Sequence, residues 1–445
     1  MTQCLQELQL DGLVGPTHHF GGLSIGNVAS MAHAGWQSHP RQAALQGLAK
    51  MRQVVALGIP QAVLPPLERP DLCFLRQAGF KGCDTEVIRQ AAAAEPYLLH
   101  LAMSSAFMWT ANAATVIPSC DSEDSRTHLV VANLAATSHR AIEGQPRAAM
   151  LRRLFTNAAQ VVIHNPLFTN PAFCDEGAAN HSRLYGSDSA SGYHLFVYGR
   201  AHDMPTSQLP GQFPARQTAA ASRAVARLGR LPANRVLFVR QQAQAIDAGA
   251  FHNDVVMVAH GNRLLLHEYC LVDQENTIQT IRRHVPELNV YQTAESDLSL
   301  HQAVKSYLFN SQLLNVSQGY VLLAPMQCSS GTAHQITQRL LDEGFIDQVI
   351  FQDLDQSMAG GGGPACLRLR LPLNKAELMT LAPGIRLTEV KLQQLEAWVN
   401  RHYRDKLAAA DLADPCLLRE SREALDSLTQ LLDLGAIYPF QQVLS

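Results

Sequence analysis

The most informative segment of the chain is AGGGGPAC, residues 359–366, which runs directly into LRLRL, residues 367–371. The alternation of leucine and arginine predicts a half-buried β-strand. Glycine adopts positive φ angles easily and lets backbone N–H groups approach a ligand closely. The pattern therefore predicts that the thiol of Cys366 lies at a strand end beside a flexible, donor-rich loop, where a nucleophile would be placed. The alternative is a small buried thiol next to a loop, which is the commoner role of cysteine.

The composition is that of a folded globular protein. The 445 residues are 47% hydrophobic and 16% charged, which argues against a disordered chain. With a net charge of −3 and no basic run, the sequence gives no support for a nucleic-acid or anionic-membrane partner. The most apolar stretch, residues 98–117, contains polar side chains that would be unfavourable in lipid, so we expect it to be buried inside the protein.

The cysteines and the N-terminus predict a cytoplasmic location. Nine cysteines are scattered along the chain without a CxxC pair, a pattern typical of free thiols in a reducing compartment. Residues 1–10 lack the basic and apolar segments of a signal peptide. Because no linker or low-complexity stretch is visible, we predict one domain over residues 1–445.

Apolar periodicity predicts helices and short strands mixed throughout the chain, which indicates an α/β fold. Helices are predicted over residues 41–57, 216–228, 297–314, 333–341, 389–409 and 417–434. Strands are predicted over 129–133, 161–164, 195–198, 236–239, 255–259, 264–267, 320–323, 349–351 and 367–371. A faint similarity between residues 109–114 and 175–180 suggests repeated units.

Three further segments combine small residues with ionisable ones: CDEGAANH at 174–181, GAFHND at 249–254 and DGLVGPTHHFGG at 11–22. Each has a purely structural alternative. Glu176 would be a helix cap, His252 a hydrogen-bonded loop histidine, and Asp254 a turn residue.

Taken together, these residues suit covalent chemistry on a cationic substrate. A cysteine nucleophile must ionise, and nearby carboxylates oppose this by raising the thiol pKa unless the substrate brings a positive charge. A guanidinium is such a substrate, since it binds carboxylates through paired hydrogen bonds. Glu176 and Asp254 would hold it with its carbon against Cys366, while His252 would protonate a leaving amine and take a proton from water.

The chain resembles the bacterial N-succinylarginine dihydrolases, guanidine-modifying enzymes of the pentein superfamily. The resemblance runs from end to end and preserves the order of the family's segments. These are residues 11–19, 65–70, 109–115, 175–181, 251–254, 309–314, 361–370, 412–415 and 438–440.

The resemblance implies a five-bladed α/β propeller, with short ββαβ units around a central active site, and a homodimer. It matches Glu176, His252 and Cys366 to the family's catalytic positions. The positions it matches to substrate contacts are Gly21, Gly22, Leu23, Ser24, Ile25, Gly26, Asn27, Val28, Ala29, Ser30, Asn112, His139, Arg140, Arg216, Asp254 and Gly360. The family usually has asparagine at position 360, so here a backbone contact or a water would have to replace its amide.

The charges of the implied substrate agree with these positions. N2-succinylarginine carries one guanidinium and two carboxylates, and Arg140 and Arg216 can each bind a carboxylate through two hydrogen bonds. The ordinary alternatives are a surface charge for Arg140 and a solvent-exposed first-turn helix residue for Arg216.

The resemblance implies hydrolysis of N2-succinylarginine by two waters to N2-succinylornithine, two ammonia and carbon dioxide, without metal or organic cofactor, in arginine catabolism by the succinyltransferase route. Three alternatives stay open. One is a deiminase that performs a single step on arginine or another guanidine, and another is a non-catalytic binding protein. The third is a zinc hydrolase using His18, His19, His181, His252 and Asp254, although no HExxH or metal-spaced pair is present.

Overall fold

The structure is a computed structural model and describes residues 5–186 and 191–442. Its strands are β1 (Gln6–Gly12), β2 (Gln61–Leu64), β3 (Ala114–Ile117), β4 (Thr127–Val131), β5 (Val161–His164), β6 (His181–Leu184), β7 (Tyr193–Tyr198), β8 (Val236–Arg240), β9 (Met257–His260), β10 (Arg263–His267), β11 (Asn289–Thr293), β12 (Gln312–Val316), β13 (Gly319–Pro325), β14 (Gln348–Gln352) and β15 (Arg368–Leu373).

These strands form five three-stranded sheets, ordered β3-β4-β5, β6-β7-β8, β9-β10-β11, β12-β13-β14 and β15-β1-β2. In every sheet the first strand pairs antiparallel with the middle strand, which pairs parallel with the third. We call the first strand of each sheet its inner strand. The five repeated sheets confirm the predicted five-bladed α/β propeller, and the last blade is built from both ends of the chain.

The parallel pair in each blade requires a crossover connection, and helices supply it. The α-helices are α1 (Val28–Ala32), α2 (Pro40–Ala56), α3 (Leu72–Gln77), α4 (Asp84–Ala94), α5 (Pro96–Ala102), α6 (Ser138–Ala141), α7 (Gly144–Leu154), α8 (Ala219–Leu228), α9 (Ala243–Asp247), α10 (Gln274–His284), α11 (Leu300–Ser306), α12 (Gly331–Asp342), α13 (Asp355–Gly360), α14 (Lys375–Met379), α15 (Glu389–His402) and α16 (Pro415–Leu431). Helices α2, α7, α8, α10 and α12 each lie between a middle strand and the parallel strand that follows it.

The inner strands surround the propeller axis, and a short turn precedes each of them. Inner strand β9 contacts both β6 and β12, and β15 contacts β3. The turns before the first four inner strands are 3-10 helices: Thr110–Asn112, Gly177–Asn180, Asn253–Val255 and Leu308–Asn310. Because these turns contact one another in sequence, they form one layer at one end of the axis. The two segments with faint similarity, residues 109–114 and 175–180, contain two of these equivalent turns.

The strand that follows Cys366 has the predicted half-buried character. Leu369 and Leu371 of β15 are fully buried in the main hydrophobic core together with Leu8 and Leu10 of β1. Arg368 and Arg370 alternate with them and therefore point to the opposite face. This pairing of β15 with β1 closes the ring.

Several predicted boundaries were wrong. The helix predicted over residues 297–314 is instead α11, a 3-10 turn and strand β12, because Tyr307 adopts a left-handed conformation with φ 54° and ends the helix. The apolar residues after it belong to a buried strand, and a short buried strand resembles a buried helix in sequence. The helix predicted to end at residue 409 ends at His402.

Two further boundaries concern residues near the axis. The helix predicted from residue 216 begins at Ala219, where the side chain of Thr218 accepts a hydrogen bond from the Ala221 N–H, so Arg216 precedes the helix. The strand predicted over 255–259 begins at Met257 after a 3-10 turn. Six strands were not predicted: β1, β2, β3, β6, β11 and β12.

Candidate active site

The three residues matched to catalytic positions lie together in the layer of turns at the axis. Glu176, His252 and Cys366 immediately precede or lie within the turns before β6, β9 and β15. All three are buried, with exposed fractions of 0%, 1% and 3%. Residues far apart in sequence meet here because each lies in the segment that leads into an inner strand of a different blade.

Glu176 fixes the orientation of His252. Nε2 of His252 lies 2.7 Å from Oε2 of Glu176. Burial alone would raise the pKa of this carboxyl, but the hydrogen bond and charge of His252, together with Arg216 and Arg140, lower it to about 2. An ionised Glu176 accepts the proton on Nε2, which leaves Nδ1 of His252 as the unprotonated nitrogen.

His252 is therefore neutral at rest and able to accept a proton. Burial lowers its pKa to about 4, although Glu176 opposes this shift. Its Nδ1 atom is buried and has no hydrogen-bond partner among residues 5–186 and 191–442. A neutral imidazole with one free nitrogen can act as a general base and then as a general acid.

Cys366 and Asp254 form the second pair of the site. The Cys366 thiol lies 3.9 Å from Oδ2 of Asp254. Burial and the charge of Asp254 raise the pKa of the thiol well above its usual value. Burial likewise raises the pKa of Asp254 to about 7, against the opposing effects of Arg368 and Asn310. A cation between the two groups would reverse both shifts, since it stabilises thiolate and carboxylate together.

Asn112 and Arg140 lie beside Glu176. The Asn112 amide donates to the backbone oxygen of Glu176 over 2.7 Å, and NH1 of Arg140 donates to Oδ1 of Asn112 over 3.1 Å. Arg140 is only 2% exposed, so the alternative of a surface charge for this residue was wrong. Its NH2 atom is buried without a hydrogen-bond partner within the described chain, and its Nε atom lies 3.9 Å from Oε1 of Glu143.

Arg216 joins the loop 21–30 to the site. Its NH2 group donates to Oγ of Ser24 over 3.0 Å and to the backbone oxygen of Ile25 over 2.7 Å. The guanidinium also lies 4.6 Å from the ring centre of Phe251, a favourable cation–π contact. Arg216 is 2% exposed, so the solvent-exposed alternative for this residue was also wrong.

The predicted loop 21–30 also contacts the glycine segment. Asn27 accepts a hydrogen bond from the Ser30 N–H over 3.1 Å, which caps α1. Its amide donates to the backbone oxygen of Gly361 over 3.0 Å. The side chain of Ile25 points outward and is 58% exposed. The loop therefore bridges Arg216 on one side and the approach to Cys366 on the other.

The glycine segment is not the flexible loop that the sequence predicts. Gly360 ends α13, and Gly361, Gly362 and Gly363 are buried. A Cβ atom at Gly361, whose φ is 92°, would overlap Asn27, and one at Gly362 would overlap the indole of Trp109. The glycines are present because neighbouring side chains lie against the backbone.

A cavity of about 400 Å³ adjoins the glycine segment. It is lined by several of the predicted substrate positions, namely Gly21, Gly22, Leu23, Ser24, Ser30, His139 and Gly360. Burial, together with Arg140 and Arg216, lowers the pKa of His139 to about 3, so this histidine is neutral. A Cβ atom at Gly360 would lie 3.0 Å from the Trp109 ring, which explains how glycine suits this position here.

Asn310 is a site residue that the sequence analysis did not single out. Its Oδ1 accepts a hydrogen bond from the Cys366 N–H over 3.3 Å, and its amide donates to the backbone oxygen of Asp254 over 3.4 Å. It thereby positions both partners of the thiol–carboxylate pair. Asn112 and Asn310 each end a 3-10 turn before an inner strand. A comparison of the segments that precede the strands would therefore have identified Asn310 as the equivalent of Asn112.

The histidines of the zinc alternative do not lie together as a metal site. His181 is hydrogen-bonded to His194 over 2.9 Å, and His252 is hydrogen-bonded to Glu176. His18 and His19 line the cavity beside the glycine segment. Within residues 5–186 and 191–442, no group of three or more His, Cys, Asp or Glu side chains is arranged to hold a metal ion.

Comparison with known proteins agrees with this arrangement of residues. The family model described as succinylarginine dihydrolase matches residues 4–441. The chain belongs to the succinylarginine dihydrolase family. N-succinylarginine dihydrolase of Chromohalobacter salexigens is 48% identical over 447 residues, covering 99% of this chain and 100% of that protein. The Burkholderia cenocepacia protein of the same name is 46% identical, covering 98% and 99%.

Solved structures show the same fold at much lower identity. The N-terminal domain of ArgZ, an arginine dihydrolase from the ornithine–ammonia cycle in cyanobacteria, has a TM-score of 0.50 and 15% identity, covering 83% of this chain and 98% of that one. ArgZ in its apo form has a TM-score of 0.51 and 14% identity, covering 86% and 42%.

As a member of the succinylarginine dihydrolase family, the protein is an enzyme, a hydrolase of arginine catabolism with the pentein fold. Across residues 5–186 and 191–442, none of the helices has the length and apolar character needed to span a membrane.

Proposed function

We propose that this protein converts N2-succinylarginine to N2-succinylornithine, two ammonia and carbon dioxide through covalent intermediates on Cys366. The observation that carries the proposal is the arrangement of two buried carboxyl groups, Glu176 and Asp254, around a buried thiol and a neutral histidine. A site with two carboxyl groups and a protonated thiol is suited to a cationic ligand. Relatives at 45–48% identity carry the name of this activity.

The first round begins when the guanidinium enters between Asp254 and Glu176. Its charge lowers the pKa of the Cys366 thiol, whose proton passes to Nδ1 of His252, and the thiolate adds to the guanidinium carbon. His252 then returns a proton to one nitrogen, which leaves as ammonia. Water deprotonated by His252 adds to the remaining thiouronium carbon, and loss of the thiolate gives a ureido compound.

The second round repeats these steps on the ureido carbon. Cys366 adds to this carbon, His252 protonates the second nitrogen, and a second ammonia departs. Water then cleaves the thiocarbamate, and the carbamate formed loses carbon dioxide to leave the ornithine amine. Cys366 and His252 serve both rounds, so the second round requires no further catalytic group.

Arg140 and Arg216 would bind the carboxylates of the succinylated end. Each is buried, and each retains guanidinium nitrogen atoms without a hydrogen-bond partner in the part of the chain that the structure describes. The loop 21–30, His139 and the backbone of Gly360 line the adjoining cavity and would supply further contacts, in place of the asparagine amide that the family usually provides.

Product stoichiometry tests the proposal. Purified protein is incubated with N2-succinylarginine, and ammonia, succinylornithine and succinylcitrulline are quantified together. We expect two ammonia per succinylornithine. One ammonia with a citrulline-type product would indicate the single-step deiminase, and no product from this or other guanidines would indicate a binding protein.

We also propose that residues 1–445 form one catalytic domain that acts as a cytoplasmic homodimer without metal or organic cofactor. The end-to-end family resemblance supports the domain and the dimer. The cysteines within residues 5–186 and 191–442, which are free, support a reducing compartment. Light scattering at micromolar concentration tests the dimer. Activity that survives extended treatment with a chelator would support catalysis without a metal, and its loss and recovery with added zinc would contradict it.

A further inference from the structure

A second cavity lies on the propeller axis, on the far side of the catalytic layer. It encloses about 850 Å³ and is lined by residues of inner strands β6, β9 and β15 and by Glu7 of β1. Asp254 and Ala365 line its end nearest the thiol, and Pro372 and Tyr185 line its opposite end. We call this space the rear cavity, since it extends from the catalytic layer towards the C-terminal ends of the inner strands.

Arg368 of β15 faces the rear cavity and has no counter-ion in the described chain. Its side chain makes no hydrogen bond, its Nε atom is buried without a partner, and no carboxylate oxygen within residues 5–186 or 191–442 lies within 4.0 Å of it. Burial and the charge of Arg370 lower its pKa to about 9. A guanidinium with this pKa is still charged at neutral pH.

The carboxylates near Arg368 are already bound to other groups. Asp11 is its cross-strand partner on β1, but one Asp11 oxygen is paired with Lys50 and the other accepts from Gln61 over 2.6 Å. Glu7 is paired with Arg370 over 3.1 Å. Asp254 also lines the cavity and interacts with Arg368. The positive charge of Arg368 is therefore uncompensated while Asp254 is protonated, below the pKa of about 7 of that carboxyl group.

The other charged groups of the cavity are balanced. Arg183 is paired with Asp121, and Arg370 also donates to the backbone oxygens of Ala259 and Leu313. His260, whose pKa burial lowers to about 3, is neutral and lies 3.6 Å from Glu7. With Asp254 protonated, the rear cavity thus has an excess of one positive charge, located at Arg368.

We propose that the rear cavity is a binding site for a small, planar, monovalent oxyanion held by the guanidinium of Arg368. Arg368 is half-buried and its Nε atom is buried without a partner, which is unfavourable for a charged group. A planar oxyanion matches the guanidinium through two parallel hydrogen bonds. Tyr185 lines the opposite end of the same space, and burial raises its pKa to about 12, so its hydroxyl adds no negative charge to the cavity. Binding at this site does not depend on the reaction proposed above.

Two sources of such an anion share this chemistry. Bicarbonate would arise from the carbon dioxide that the proposed reaction releases, whereas nitrate or formate would come from the surrounding solution. Binding of bicarbonate tighter than nitrate would identify the reaction product as the occupant, and the reverse order would identify a solvent anion. Either order of the two affinities supports an oxyanion site at Arg368.

Thermal unfolding of the full chain at constant ionic strength tests the proposal. Sodium gluconate, which is too large for tight pairing in the cavity, is replaced stepwise by sodium nitrate or sodium bicarbonate. We expect the melting temperature of the wild-type protein to rise and saturate, because a ligand that binds only the folded state stabilises it. In Arg368→Gln the apparent affinity should fall roughly tenfold or more. Arg152→Gln, which removes an exposed arginine, should behave as wild type.

Two results would overturn the proposal: a wild-type melting temperature that does not respond, or an equal response in Arg368→Gln. If Arg368→Gln does not fold, crystals of the wild-type protein grown in sodium nitrate decide the matter. Planar density against the Arg368 guanidinium supports the site, and density for water alone contradicts it.

Discussion

At the scale of single residues, the free site holds its thiol and its histidine in their neutral forms. The Cys366 thiol is protonated, Asp254 has a pKa of about 7, and His252 is neutral. A guanidinium would favour ionisation of both the thiol and the carboxyl group. Activation therefore depends on the substrate, which keeps the thiol unreactive towards other electrophiles when the site is empty.

Replacement of the nucleophile tests the covalent route. In Cys366→Ala we expect kcat to fall by roughly 10⁴-fold or more, because no other group can form the intermediate. The dissociation constant for N2-succinylarginine should change little, since Asp254, Glu176 and the two arginines are retained. Turnover is followed by ammonia release and binding by calorimetry. Cys73→Ala, at an exposed cysteine, is the matched control, and substantial turnover in Cys366→Ala would contradict the route.

The raised pKa of Asp254 predicts the pH dependence of the reaction. Asp254 is protonated below its pKa of about 7, and a neutral carboxyl group cannot pair with a guanidinium. We therefore expect kcat/KM, which reports the free enzyme, to rise with pH through about 7. In Asp254→Asn the rise of kcat/KM with pH should be absent from the residual activity. A profile that is flat between pH 5.5 and 8 would show that another group controls binding.

At the scale of elements, the site is built from one repeated unit. Each inner strand follows a short turn, and each turn contributes a side chain: Asn112, Glu176, His252, Asn310 and Cys366. Asn112, Asn310 and Cys366 lie at the end of the segment before their inner strands, whereas Glu176 and His252 lie just before their 3-10 turns. The fold therefore brings five polar groups to one layer without a long functional loop.

The glycine segment before β15 is expected to tolerate no side chain. In Gly362→Ala the new Cβ atom would overlap the Trp109 indole, so we expect a loss of about 1–3 kcal/mol in the free energy of unfolding together with reduced kcat. Gly47→Ala is the matched control, because its Cβ atom would lie 4.0 Å from Val14 inside helix α2. There alanine should stabilise by up to about 1 kcal/mol. Urea unfolding measures both, and an unchanged Gly362→Ala would show that the segment is looser than described.

At the scale of the whole molecule, the ring is closed by joining the two ends of the chain. Strand β15 pairs with β1 along six residue pairs, Gln6–Leu373 to Asp11–Arg368. Helix α2 packs on this blade, and its Lys50 is ion-paired with Asp11, both residues being at most 1% exposed. The same blade carries Cys366 at its start, so ring closure and placement of the nucleophile are coupled.

The buried pair Lys50–Asp11 on this closing blade should contribute far more to the free energy of unfolding than an exposed pair on the same helix. Lys50→Met leaves Asp11 buried without its cation, and we expect a loss of about 3–5 kcal/mol in the free energy of unfolding. Arg52→Gln removes a half-exposed arginine paired with Glu389 and Glu396, for which about 0–1 kcal/mol is expected. Both values come from urea denaturation followed by circular dichroism. Equal, small losses would show that the buried pair is not needed for closure.

Much of the fold and of the candidate site could be predicted from sequence. The five-bladed propeller followed from the resemblance to the family. The alternation in residues 367–371 and the apolar periodicity predicted the short strands and helices, and the polar segments indicated Glu176, His252 and Cys366. These features are encoded over a few consecutive residues, because strand and helix periods repeat every two and every 3.6 residues.

Other properties were decided by the tertiary structure. Arg140 and Arg216 look like surface charges in sequence but are buried at the axis, and the glycine segment looks flexible but is tightly packed. The roles of Asn310 and Arg368 also depend on contacts between blades. Such contacts join residues as far apart as Asn27 and Gly361, 334 positions along the chain. No local period encodes them, because they form only when closing the ring brings the blades around one axis.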